Sequence, residues 1–203
     1  GKEDAEFLRV LNPKLDAQFI RHPHYDIGES KRTLFSDAKI RLLIAGRNDI
    51  YMGAMTTAAC EAIAGETDLA QHYEITFLGK GWDDMAEQLV ATGFDAKVKT
   101  WVDDYAAEVL RHDIQLTPIA VGTGTKGKVL DAFANGLLVI GTERALENIA
   151  VEDGVSCVNY SDVSKLIAVL KEIPSQREKY AEMAACGRSQ VVNEHSREKI
   201  AAQ

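Results

Sequence analysis

The chain has 203 residues, 46% of them hydrophobic and 27% charged, the balance of an ordinary globular protein of one large domain or one domain with appendages. Its formal net charge of −8 argues against a nucleic-acid backbone or an anionic membrane as the main partner. Cys60, Cys157 and Cys186 are widely spaced with no C-x-x-C pair, so they read as reduced, mostly buried thiols of a cytosolic protein and not as a disulfide or zinc framework.

No apolar run approaches the roughly 18 residues that a membrane helix needs, and the N-terminus carries no signal-peptide pattern. The chain opens GKEDAEF without an initiator Met, which fits a piece of a longer protein. Residues 1–30 follow no strand–helix alternation, and RHPHYDIGE (21–29) reads as an extended connector, because the residue before a proline is pushed out of the helical region.

From residue 40 onward, short apolar runs alternate with helical stretches. Strands are expected at 40–46, 73–79, 96–102, 114–121, 137–142 and 155–160, each rich in β-branched or aromatic residues and followed by Gly, Asp or Asn. Helices are expected at 55–65, 83–93, 103–112, 126–136 and 162–173, several ending in a glycine cap at Gly65, Gly93 or Gly136. Asp83-Asp84 and Asp103-Asp104 fall at helix starts, where carboxylates cap free N–H groups and favour the dipole. Pro174 separates the last two helices, and 176–202 reads as one long charged helix. Continuous apolar strands in this alternation imply an α/β fold: a Rossmann-like parallel sheet with helices on both faces. The expected organisation is a connector at 1–30, a Rossmann-like domain at 31–175 and a C-terminal helix at 176–203.

The segment GTGTKGKVLDAFANG (122–136) places three glycines and two lysines directly before an amphipathic helix. Three readings compete. Gly122, Gly124 and Gly127 form a G-x-G-x-x-G with Glu143 about 20 residues on, the dinucleotide fingerprint of a nucleotide-dependent oxidoreductase. That pattern normally opens the first strand–helix unit, and here it follows the fourth expected strand, which Pro118 also interrupts. A P-loop is excluded, because Val129 stands where a magnesium-binding Ser or Thr belongs. A plain glycine-rich turn with solvated lysines is the second reading. The third is a diphosphate site built from helix N-terminal N–H groups and lysine charge. Asp131, one turn after Lys128, would then reach past the phosphates to accept hydrogen bonds from ribose hydroxyls.

The stretch PIAVGTGTKGKVLDAFANGLLVIGTERALENI resembles the donor-binding segment of retaining, group 1 nucleotide-sugar glycosyltransferases of the two-Rossmann GT-B type. Their usual form is P-x-R-x-G-x-G-x-K-x-K-V-L-E-A-x-A-x-G-x-P-V-V-x-T. The match is dense over about 30 residues, with weaker echoes over roughly 40–200. The resemblance implies the C-terminal half of a GT-B architecture, with 1–30 as linker and remnant of a missing N-terminal domain that would bind an acceptor glycan or lipid-linked sugar. It implies that Lys126 and Lys128, with Gly122 and the amides of Gly124 and Thr125, clamp the diphosphate of a donor such as a UDP-sugar, and that Arg47 also reaches it. Asp131 takes the place of the ribose-binding Glu, and Trp101 and Val102 fall where the nucleobase is held.

Three departures stand out: Asp131 is a methylene shorter than the family Glu, Thr123 replaces a Glu that contacts the transferred sugar, and Ala120 replaces an Arg. A sugar-nucleotide-binding domain without catalysis therefore remains an alternative. Arg47 could instead pair with a surface acid, and Trp101 could be packing alone. His22 and His24 lack a ligand cluster, and no D-x-D occurs, so no metal and no cofactor beyond the donor is expected. The implied setting is cytoplasmic, either free or peripheral to the inner face of the membrane.

Overall fold

The computed structural model describes residues 1–24 and 33–202. Residues 25–29 of the expected connector lie outside the described residues. Helix α1 spans Lys2–Leu11, where no element was expected, and residues 15–24 run on without helix or strand. Its apolar residues Phe7, Leu8, Val10 and Leu11 are exposed.

Six strands follow: β1 Ile40–Ala45, β2 Tyr73–Leu78, β3 Asp95–Lys99, β4 Ile114–Thr117, β5 Leu138–Gly141 and β6 Val158–Asn159. They form one sheet in the order β3-β2-β1-β4-β5-β6, with every pair parallel. Leu42, Leu43 and Ile44 are consecutive and all at most 1% exposed. Since neighbouring side chains point to opposite faces of a strand, both faces of the sheet are covered.

The covering helices are α2 Gly53–Ala64, α3 Asp83–Ala91, α4 Tyr105–Val109, α5 Gly127–Ala134, α6 Glu143–Leu146 and α7 Val163–Glu172. The short α6 was not expected. It is capped by Thr142, whose hydroxyl accepts the Ala145 N–H at 3.2 Å. Of the expected acidic caps, Asp104 accepts the Ala107 N–H at 3.0 Å, while Asp83 and Asp84 lie in the first turn of α3.

Two strands stop early. β3 ends at Lys99, leaving Trp101 and Val102 in the loop before α4. β4 ends at Thr117 because Pro118 has no N–H for a ladder, and 118–121 leave the sheet. The glycine caps also divide: Gly93 and Gly136 have φ of 96° and 77°, as a left-handed cap requires, whereas Gly65 at φ −69° stays right-handed.

The expected terminal helix is two helices, α8 Arg177–Glu194 and α9 Arg197–Ala201. Ser196 restarts the second by accepting the Lys199 N–H at 3.2 Å. α8 packs on α5 and β5. Gly187 permits this approach, since a Cβ there would strike the Ser156 carbonyl and come within 3.0 Å of the Phe133 ring. Cys60 and Cys157 are buried and all three cysteines are free; burial pushes both buried thiols up to about 12.

Candidate functional site

The strand order reverses between β1 and β4. From β1 the chain continues outward to β2 and β3, and from β4 in the opposite direction to β5 and β6. A crevice must open at the carboxyl ends of these two strands, since their following loops part there. The loop after β1 is joined across it by the Ala120 N–H, which donates to the Tyr51 carbonyl at 2.8 Å. The resulting cleft has a volume of about 500 Å³ and includes Arg47, Asp49, Tyr51, Gly122, Lys126 and Lys128 in its lining.

Lys128 reaches into this cleft from the first turn of α5. Its Nζ lies 3.1 Å from Met52 Sδ. Gly46, at φ +132°, makes room for it: a Cβ there would sit 2.5 Å from the amine and 2.6 Å from the Met52 sulfur. Burial holds the Lys128 pKa below its ordinary value, and the nearby Asp49 carboxylate offsets this in part. A half-desolvated ammonium with a thioether as its hydrogen-bond acceptor is poised to gain from an anionic ligand.

Arg47 is exposed, and its Nε donates to Asp49 Oδ2 at 3.2 Å. Asp49 loses some hydration by burial, but the Tyr51 N–H at 2.9 Å and Arg47 outweigh this and hold its carboxyl below the ordinary value. Arg47 thus both lines the cleft and pairs with an acid, the two alternatives the sequence left open. Lys126 is 12% exposed, with its Nζ 3.2 Å from Glu147 Oε2 and 2.5 Å from the Gly124 carbonyl oxygen.

The remaining expected residues lie elsewhere. Gly124 and Thr125 line a second groove of about 670 Å³ on the side of the N-terminal segment, shared with Leu8, Phe19, His22 and Asn148. Asp131 is half-buried and does not line the 500 Å³ cleft. Burial raises its pKa, with His22 and His24 opposing. Its charge also adds to the burial that pushes the Tyr105 hydroxyl up to about 12. Trp101 is 73% exposed, so it is not core packing, while Val102 is half-buried against the core. The structure therefore gathers Arg47, Gly122, Lys126 and Lys128 in one cleft, and leaves Asp131, Trp101 and Val102 outside its lining.

Asp49, Tyr51, Met52 and Glu147 were missed from sequence. RNDIYM carries no motif, and nothing in it announces that its backbone folds over the glycine loop.

The glycines also separate the competing readings. Gly122 and Gly124 have φ of 115° and 76°, as the turn needs. Gly127 has a right-handed backbone, and a Cβ on it would meet nothing within 4 Å. The third glycine of a dinucleotide fingerprint exists for close helix–strand packing, which is not made here. Glu143 is exposed in the first turn of α6. Among the described residues, no group of three His, Cys, Asp or Glu is placed to hold a metal ion, and no helix is long and apolar enough to cross a membrane.

A parallel sheet in this order, with cations gathered beside a glycine loop at its switch point, defines a Rossmann-like domain. Residues 57–203 match the family described as glycosyl transferase-like, and the chain belongs to that family. No curated protein matches it in sequence. Among solved structures, TarM of S. aureus is similar with a TM-score of 0.75 at 11% identity, over 98% of this chain and 41% of TarM. Anabaena HepE, solved in complex with UDP, gives 0.66 at 15% identity, over 82% of this chain and 47% of HepE. The C-terminal domain of the group 1 glycosyl transferase LpcC from Francisella tularensis gives 0.64 at 17% identity, over 78% of this chain and 87% of that domain. The fold is the C-terminal half of a GT-B architecture, and the chain spans about half the length of HepE and about two fifths of TarM.

Proposed function

We propose that this chain is the donor-binding domain of a retaining, metal-independent glycosyltransferase that uses a nucleoside-diphosphate sugar. The observation that carries the reading is the Lys128 ammonium, half-buried over Gly46 in the switch-point cleft and, among the described residues, without a carboxylate at hydrogen-bond distance. Transfer breaks the bond between the sugar's anomeric carbon and the β-phosphate oxygen, and negative charge grows on that phosphate. Lys128 and Arg47, together with the first-turn N–H groups of α5, stabilise this charge without a metal. Lys126 lines the same cleft. Asp131 would accept the ribose hydroxyls, with the base toward Trp101 and Val102. HepE, a structural relative, was solved with UDP. The acceptor, a glycan or lipid-linked sugar, would be bound by a further N-terminal domain, and the enzyme would act in the cytoplasm.

The test is thermal stabilisation of the chain by UDP or GDP in the presence of chelator. Stabilisation is expected from a nucleoside diphosphate and not from NAD. A shift with NAD alone would return the loop to the dinucleotide reading, and a UDP shift abolished by chelator would remove metal independence. A domain that binds the nucleotide but transfers no sugar, even when joined to its N-terminal partner, would be a binding module; Thr123 in place of the family Glu is what favours that second reading.

A further inference from the structure

Lys126 is placed unlike Lys128. Its side chain is nearly buried, and its ammonium already has two oxygen partners: the Glu147 carboxylate at 3.2 Å and the Gly124 carbonyl at 2.5 Å. Gly124 lies at φ +76°, and a Cβ on it would meet nothing within 4 Å, so packing does little to hold this part of the loop. Glu147 is 26% exposed and closes α6 at its C-cap, with Arg144 one turn back at 3.9 Å. The ammonium therefore bridges the Gly124 turn of the glycine loop to the end of a helix that contacts β5.

We propose that Lys126 and Glu147 are positioning residues: a strut that holds the glycine loop in its binding shape, with Lys126 neutralised by Glu147 and not spent on the donor's phosphates. The inference rests on the donor-binding reading above and deepens it. Two physical points support it. Turning Lys126 toward a phosphate would break a partly buried ion pair and leave a carboxylate beside the incoming anion. It would also free the Gly124 carbonyl and with it the backbone of the anion-binding turn, whose preorganisation is what makes N–H donors effective.

The two roles predict opposite signs. If Lys126 contacts phosphate, removing Glu147 releases its charge and tightens UDP. If Lys126 is a strut, removing Glu147 loosens the loop and weakens UDP. The experiment compares wild type, Lys126→Ala, Glu147→Ala and the double variant by UDP calorimetry at several salt concentrations. Amide hydrogen exchange across residues 123–127 is measured without ligand, and melting curves confirm that each variant folds. The strut predicts faster loop exchange in both single variants and UDP affinity lower by about threefold to tenfold in each. The double variant should be no worse than the weaker single, since the pair acts as one unit. The salt dependence of binding should be preserved, because no phosphate-contacting charge has been lost. Tighter UDP binding by Glu147→Ala would overturn the proposal. So would unchanged loop exchange, or a shallower salt dependence in Lys126→Ala. If wild type binds no UDP, the donor-binding reading fails while the exchange measurement still decides the strut.

Discussion

Lys128→Met separates binding from stability at the centre of the cleft. The methionine keeps the aliphatic stem and removes the charge. In the free protein the ammonium is half-desolvated, faces a thioether, and has its pKa below the ordinary 10.5 through burial. A base whose folded pKa is depressed binds fewer protons folded than unfolded, so it withholds stability at every pH below its ordinary pKa. At neutral pH that penalty is fully present, and Lys128→Met should raise the melting temperature of the free protein. The same change removes a charge-assisted contact to the diphosphate, typically worth about 1.5–3 kcal/mol, or roughly tenfold to more than a hundredfold in UDP affinity. Phosphate should draw the Lys128 pKa back up, so wild type should take up protons on binding UDP in alkaline buffer and the variant should not. Melting curves and calorimetry in buffers of different ionisation enthalpy report all three effects. A variant that melts lower and binds UDP unchanged would refute the reasoning, making Lys128 a packing residue.

Gly46→Ala should largely abolish UDP binding, because its Cβ would displace the Lys128 amine and the Met52 sulfur, and the backbone at φ +132° adds roughly 1–3 kcal/mol of strain, read as a lower melting temperature. Asp131 has a raised pKa through burial, so its ionised form costs stability above the carboxylate range; Asp131→Asn should melt higher at neutral pH, bind UDP more weakly and bind pyrophosphate unchanged. In the same titrations Glu143→Gln should match wild type, and loss of nucleotide preference there alone would move the ribose to the dinucleotide site. His195 is fully buried, donates from Nδ1 to the His22 carbonyl at 2.7 Å and accepts the Ala150 N–H on Nε2 at 3.1 Å, a pattern that requires the neutral ring. Burial lowers its pKa, so stability should fall as pH drops below its ordinary 6.5 and level off below the folded value. His195→Gln should flatten that profile in melting curves, and an unchanged profile would place the acid sensitivity elsewhere.

The local elements were largely legible because their causes are local. Short continuous apolar runs followed by glycine or a polar turn marked β1, β2 and β5, and the helical stretches between the runs, several closed by a glycine, marked α2, α5 and α7. Misreadings arose where a nonlocal or single-residue effect intervened. Pro118 cut β4 short, 100–102 left the edge strand after Lys99, and the Ser196 cap restarted the last helix. α1 was missed because its exposed apolar residues and acidic first turn lie outside the strand–helix alternation.

The site divides in the same way. By itself the sequence determined that Gly122, Gly124, Lys126 and Lys128 lie at the start of a helix following a strand, since these residues are contiguous and turn chemistry acts over a few bonds. It also carried the family motif, and with it the expectation of a donor-binding Rossmann domain. Only the tertiary structure decided which groups meet at that loop. Strand pairing between β1 and β4 is a long-range choice, and it alone brings Arg47, Asp49 and Met52 across from Lys128. The two lysines, two positions apart, point to different partners: Lys128 fills the space left by Gly46, and Lys126 meets Glu147. Spacing cannot distinguish them, because the electrostatic environment of a charge is set by the elements packed around it and not by its neighbours in the chain.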